Sequence, residues 1–89
     1  MNAPRTRVLL VDDDDTFLLI LKELLPPARY ALDRAATYNS GLEAMTGCSH
    51  DVYLVDYRLP GRSGLDLVRE AAARGCAAPM LILTGMGDH

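Results

Sequence analysis

The sequence predicts an α/β fold, a parallel sheet of short strands with helices on both faces. Three observations predict it. Short continuous apolar runs at residues 8–11, 52–55 and 80–83 read as strands buried on both faces. Segments with helical apolar spacing lie between the runs. Each run also leads into a polar residue, at Asp12, Asp56 and Thr84. In open parallel sheets, ligands sit at the carboxyl ends of the strands.

The first strand, β1, is expected over Val8–Val11. Asp14 or Asp15 is placed to cap the following helix, because a carboxylate accepts the free N–H groups of a first turn. That helix, α1, should run to about Leu25 and stop at Pro26-Pro27. Phe17, Ile20, Leu21, Leu24 and Leu25 share one stripe, with Lys22 and Glu23 opposite and Leu19 on the wet side. Tyr30–Ala36 reads as a weaker strand, β2. Ser40–Thr46 reads as a short helix, α2, ended by Gly47. β3 is expected over Val52–Val55, with a loop over Tyr57–Gly64 punctuated by Pro60, Gly61 and Gly64. Ser63 or Gly64 opens α3, which runs to Arg74 before Gly75. Met80–Leu83 is β4. The order β1-α1-β2-α2-β3-α3-β4 implies right-handed crossovers in a doubly wound sheet.

The chain has 89 residues, 49% apolar and 24% charged, which allows one ordinary globular domain. A net charge of −3 with scattered basic residues points away from nucleic acid. No stretch is long enough to cross a bilayer, and Met1–Arg7 is no signal peptide. A cytoplasmic location is expected, where Cys48 and Cys76 would stay reduced. His50 and His89 lack metal or triad spacing and are expected at the surface. Met45, Met80 and Met86 are expected in packing or loops.

If Asp12, Asp13 and Asp56 are neighbours, their charges repel. Two carboxylates about 4 Å apart cost roughly 4 kcal/mol at an effective dielectric of 20. A cation resolves the conflict. Oxygen donors on an open rim suit Mg²⁺, which takes one or two carboxylates plus a phosphate. An aspartate beside such an ion can be the nucleophile in phosphoryl transfer. Thr84 could then donate its hydroxyl to a phosphoryl oxygen.

The segments V-L-L-V-D-D-D (8–14), L-V-D-Y-R-L-P-G-R-S-G (54–64) and L-I-L-T-G (81–85) together resemble the receiver domain of two-component response regulators. The resemblance implies a flavodoxin-like (CheY-like) fold with strand order 2-1-3-4 over these elements. It implies phosphorylation on Asp56 by a sensor histidine kinase or phosphotransfer protein, as a signalling domain and not an enzyme. It implies Mg²⁺ held by Asp13 directly, by Asp12 through water, by Asp56 and by the backbone carbonyl of Arg58. Thr84 matches the hydroxyl residue that contacts the phosphoryl group, and Gly85 the small residue beside it. Pro60 and Gly64 match the loop.

The same resemblance makes residues 1–89 the N-terminal portion of a receiver, without the fourth and fifth helices or the fifth strand. That strand ends in the family's phosphoryl-pairing lysine. Lys22, the only lysine, is expected on the polar face of α1 and cannot replace it. Phosphorylation is therefore expected to be impaired in these residues alone. Homo-oligomers are expected through the exposed α1 face, with Leu18 and Leu19, or through the β4 edge.

Two alternatives remain at this point. D-D-D-D-T (12–16) also fits the D-x-D-x-T signature of haloacid dehalogenase-type phosphatases, with Asp12 as nucleophile and Asp14 as general acid/base. That reading leaves Asp56 and its loop unexplained. The other is a receiver-like module that binds a partner without being phosphorylated.

Overall fold

A computed structural model of the chain describes residues 4–84. The strands are β1 (Thr6–Val11), β2 (Tyr30–Ala35), β3 (Val52–Asp56) and β4 (Met80–Leu83). The helices are α1 (Asp15–Leu24), α2 (Tyr38–Gly47) and α3 (Gly64–Ala73). The four strands form one parallel sheet in the order β2-β1-β3-β4, as expected. Residues 57–64, expected as a loop, contain a small antiparallel ribbon of Arg58–Leu59 against Arg62–Ser63.

The chain crosses from β1 to β2 in one direction, then back past β1 to β3 and on to β4. Right-handed crossovers therefore put α1 on one face and α2 with α3 on the other. The main core lies under α2 and α3. Leu9, Val11, Tyr53 and Val55 from the sheet meet Tyr38, Met45, Leu67 and Ala71 there. Val8 and Leu10 are equally buried but stand outside that cluster, on the α1 side. This two-sided burial is why β1 reads as an unbroken apolar run.

The α1 stripe is corrected. Of the stripe only Leu21 is buried; Ile20 and Leu24 are 47% and 67% exposed, while Leu19 is exposed as expected. Phe17, Leu18 and Leu25 are half-buried. Among the described residues α1 is the only helix on its face, so it meets the sheet along one line and its flanks stay wet. It ends one residue earlier than expected, with Leu25 as cap donating to the Leu21 carbonyl at 2.9 Å.

α2 also starts earlier, at Tyr38. Thr37 and Ser40 form a capping box in which each side chain accepts from the other's backbone N–H. Its left-handed residue is Cys48, at φ 50°, and not Gly47. Cys48 is bonded to Cys76, which corrects the expectation that both are free thiols. Their Cα atoms are 5.4 Å apart. The cause is topological. Each cysteine leads into one of two neighbouring strands, β3 and β4, which are in register through Tyr53 and Met80.

His50, expected at the surface, is also corrected. Its side chain is only 7% exposed, and its Nε2 lies 2.8 Å from the Asp33 carboxylate. Its ring sits edge-on to Tyr53, whose hydroxyl accepts from the His50 backbone N–H at 3.2 Å. The contact ties β2 to the start of β3. His89 and Met86 lie outside the described residues.

Candidate functional site

Parallel pairing sets the site. Val11 is in register with Val55, so Asp12 and Asp56 leave the sheet side by side. Carboxylate oxygens of Asp12, Asp13 and Asp56 all lie within 4.8 Å of one another. Asp12 is buried, Asp56 half-buried and Asp13 exposed, so the cluster has a closed floor and an open mouth.

The remaining carboxylates of the run have other partners. Asp14 donates its N–H to Asp12 Oδ1 at 2.9 Å and accepts from the Thr16 N–H at 2.8 Å, so it caps α1. Asp15 is the first residue of α1 and pairs with Arg34 from β2 at 2.9 Å. The Arg34 guanidinium also donates to the Asp12 carbonyl at 3.3 Å. The sequence reading missed Arg34. The only local signal was a lone cation near the end of a weak strand.

On the β3 side, Asp56 Oδ1 accepts from the Arg58 N–H at 3.3 Å. Asp56 is in register with Leu83, and Tyr57 donates to the Leu83 carbonyl at 2.9 Å. Thr84, the next residue, is therefore at the same rim and exposed. Gly85 lies outside the described residues. Lys22 is in the last turn of α1, where it lines a groove with Arg5, Tyr30 and Leu32. Helix α1 starts at the rim, so its last turn points away from the cluster.

The ribbon turns at Pro60-Gly61, with Gly61 at φ +78°. Arg62 stacks 3.9 Å above the centre of the Tyr38 ring. The Tyr38 hydroxyl donates to Glu70 at 2.6 Å, joining α2 to α3. Burial pushes the Tyr38 hydroxyl above its ordinary range, and that same hydrogen bond holds the Glu70 carboxyl below its own. This bracing was not anticipated from the sequence either.

Gly64 is buried where α3 begins. A Cβ there would overlap the Asp56 carbonyl and stand 2.9 Å from Val55 Cγ1. The missing side chain lets α3 start against the end of β3. Gly64→Ala is expected to cost about 1–3 kcal/mol, the range for overpacking. Gly47→Ala is the control, since nothing lies within 4 Å of the added carbon. Urea unfolding of the two variants checks this; equal stabilities would contradict the close approach.

Asp12 has its carboxyl pushed above the ordinary carboxylate value. Burial is the main cause, the charges of Asp56, Asp14 and Asp13 add to it, and the Asp14 N–H opposes it. The folded chain thus holds this proton more tightly than the unfolded chain. Stability falls as pH rises from the ordinary value of 3.8 through the raised one, and the penalty is complete above both. Asp12→Asn is expected to raise the melting temperature of metal-free protein at pH 7 by a few degrees, on the order of 2–5 °C. The gain should vanish near pH 3.8. Melting curves in EDTA test it, and a loss of stability at pH 7 would contradict it.

Residues 8–89 match the response regulator receiver domain family. The chain belongs to this family. The receiver is 33% identical over 82 residues to the two-component response regulator PhoP of Pseudomonas aeruginosa, covering 92% of this chain and 36% of that protein. It is also similar to a CheY-like receiver domain protein from Methanospirillum hungatei, at 29% identity and a TM-score of 0.82. That match covers 93% of this chain and 66% of the other. A Burkholderia pseudomallei response regulator with a phosphorylated aspartic acid, a calcium ion and citrate matches at 27% identity and a TM-score of 0.77. It is matched over 91% of this chain and 48% of its own. The receiver thus spans little more than a third of the length of its PhoP relative. Its fold is the flavodoxin-like α/β fold of CheY-like receiver domains. Membership sets aside the phosphatase alternative, consistent with Asp14 serving as a helix cap. Among the described residues, no helix is long and apolar enough to cross a membrane.

Proposed function

We propose that Asp56 accepts a phosphoryl group from a phosphohistidine of a sensor histidine kinase or phosphotransfer protein. The observation that carries this is the meeting of three carboxylates, within 4.8 Å of one another, at the ends of two adjacent parallel strands. An Asp56 oxygen attacks phosphorus as the P–N bond breaks, and the imidazole leaves with the electron pair. A cation suits this cluster because burial and mutual repulsion both act against an ionised Asp12. The donors are oxygen only, as Mg²⁺ prefers. Asp12, Asp13, Asp56 and the Arg58 backbone carbonyl would hold it. When bound, it offsets the repulsion between phosphate and carboxylates. Thr84 would face the phosphoryl group, Gly85 matches the family's small residue in sequence, and Pro60 and Gly64 would shape the loop. The phosphorylated aspartic acid and calcium ion of the Burkholderia relative support this chemistry.

Residues 1–89 carry the receiver pattern through its fourth strand, and the only lysine is Lys22. These residues alone are therefore proposed to be phosphorylated slowly. The kinase partner implies a cytoplasmic setting. Apolar exposure on α1 and at β4, where Leu81 is 54% exposed, favours homo-oligomers. A clean monomer by light scattering at high concentration would count against them.

The experiment is to incubate the chain with phosphoramidate, with Mg²⁺ or with EDTA, and map the adduct by peptide mass. A slow, Mg²⁺-dependent adduct on the Asp56 peptide is expected. An adduct on Asp12, or one formed equally in EDTA, would overturn the assignment.

A further inference from the structure

Arg34 is one residue from the end of β2, in register with Leu10. Register partners in a parallel pair face the same way, so Arg34 lies on the α1 side of the sheet with Leu10. Its side chain is 26% exposed. One guanidinium nitrogen donates to the Asp12 carbonyl at 3.3 Å, and the other meets the Asp15 carboxylate at 2.9 Å. The two contacts bracket Asp13 and Asp14. Inside the bracket, the Asp14 N–H is tied to Asp12 Oδ1 and the Asp14 carboxylate to Thr16. The path of the loop at Asp13 is thus fastened from both sides.

We infer that Arg34 is a positioning residue for the cation site, setting the loop that presents Asp13 to Asp12 and Asp56. This rests on reading the cluster as a Mg²⁺ site. Net charge is not the means, because Arg34 and Asp15 together are neutral. An ordinary surface ion pair would contribute little. A planar fork that holds a carbonyl and a carboxylate at once fixes geometry, which a lysine ammonium does less well. Mg²⁺ demands near-ideal octahedral ligands, so a loosened loop costs affinity. Loss of partners that orient ligands typically weakens metal binding by about 10–100-fold.

The test is calorimetric titration of the metal-free 89-residue chain with MgCl₂. The charge-neutral double variant Arg34→Gln/Asp15→Asn is compared with wild type and with Arg34→Lys. The double variant is expected to bind Mg²⁺ about tenfold more weakly or worse. Arg34→Lys is expected to fall between it and wild type. An unchanged Kd in the double variant overturns the inference and leaves a plain ion pair. Should circular dichroism show the double variant unfolded, Arg34→Lys decides: a weakened Kd supports positioning, and a wild-type Kd overturns it. Absence of Mg²⁺ binding by the wild type overturns the cation-site reading, and this inference with it.

Discussion

Asp56→Asn is expected to reduce phosphoryl labelling to background while leaving the fold intact. Asparagine keeps the shape of the side chain, and its amide oxygen can still accept the Arg58 N–H that Asp56 accepts at 3.3 Å. It loses the anionic nucleophile and one charge of the cation site. Stability should not suffer. Asp56 is the foremost of the neighbouring charges that raise the Asp12 carboxyl, so its removal relieves the ionised floor of the site. The variant should melt at or above the wild-type temperature at pH 7 in EDTA. Intact-mass spectrometry after phosphoramidate treatment, alongside melting curves, measures both effects. Full labelling of the variant would move the acceptor to another strand, and loss of label together with loss of fold would deprive the result of chemical meaning.

Reduction of the Cys48–Cys76 bond is expected to remove a large share of the chain's stability. The bond joins residues 28 apart, enclosing β3, the ribbon and α3. On the chain-entropy account a loop of this length contributes about 3–4 kcal/mol. A domain this small commonly has roughly 5–15 kcal/mol in total. The melting temperature should drop by on the order of 15 °C with reductant, or in Cys48→Ser/Cys76→Ser. Equal melting with and without reductant would show that the cross-link adds nothing. In a reducing cytoplasm the weaker, dithiol form would set the working stability.

What could be read from the sequence depended on how local its cause was. Val8–Val11 announced a central strand because both faces of β1 are covered. The strand order followed from alternation of strands and helices. Asp12, Asp13 and Asp56 were legible because each follows an apolar run directly, and parallel register converts that pattern into proximity. Arg34, the His50–Asp33 contact and the Tyr38–Glu70 bond were not legible. Each joins residues distant along the chain, with no spacing that marks them. The cysteine pair failed for a related reason. A cytoplasmic setting favours free thiols, and it is the pairing of β3 with β4 that brings the two residues together at one end of the sheet. For α1, periodicity located the apolar side but not how much of it is covered, which depends on what else packs on that face.

Among the described residues the two margins of the sheet are unlike, and that difference sets the side on which the sheet can be extended. β2 presents Asp33 and Arg34, with Pro26-Pro27 just before it and His50 fastened to it. Charges and prolines at a margin discourage a further strand. β4 is Met-Leu-Ile-Leu with no charge at all. Among the described residues the sheet is therefore open to a further strand on the β4 side and guarded against one on the β2 side, so any strand that extends the order β2-β1-β3-β4 is added beside Met80–Leu83.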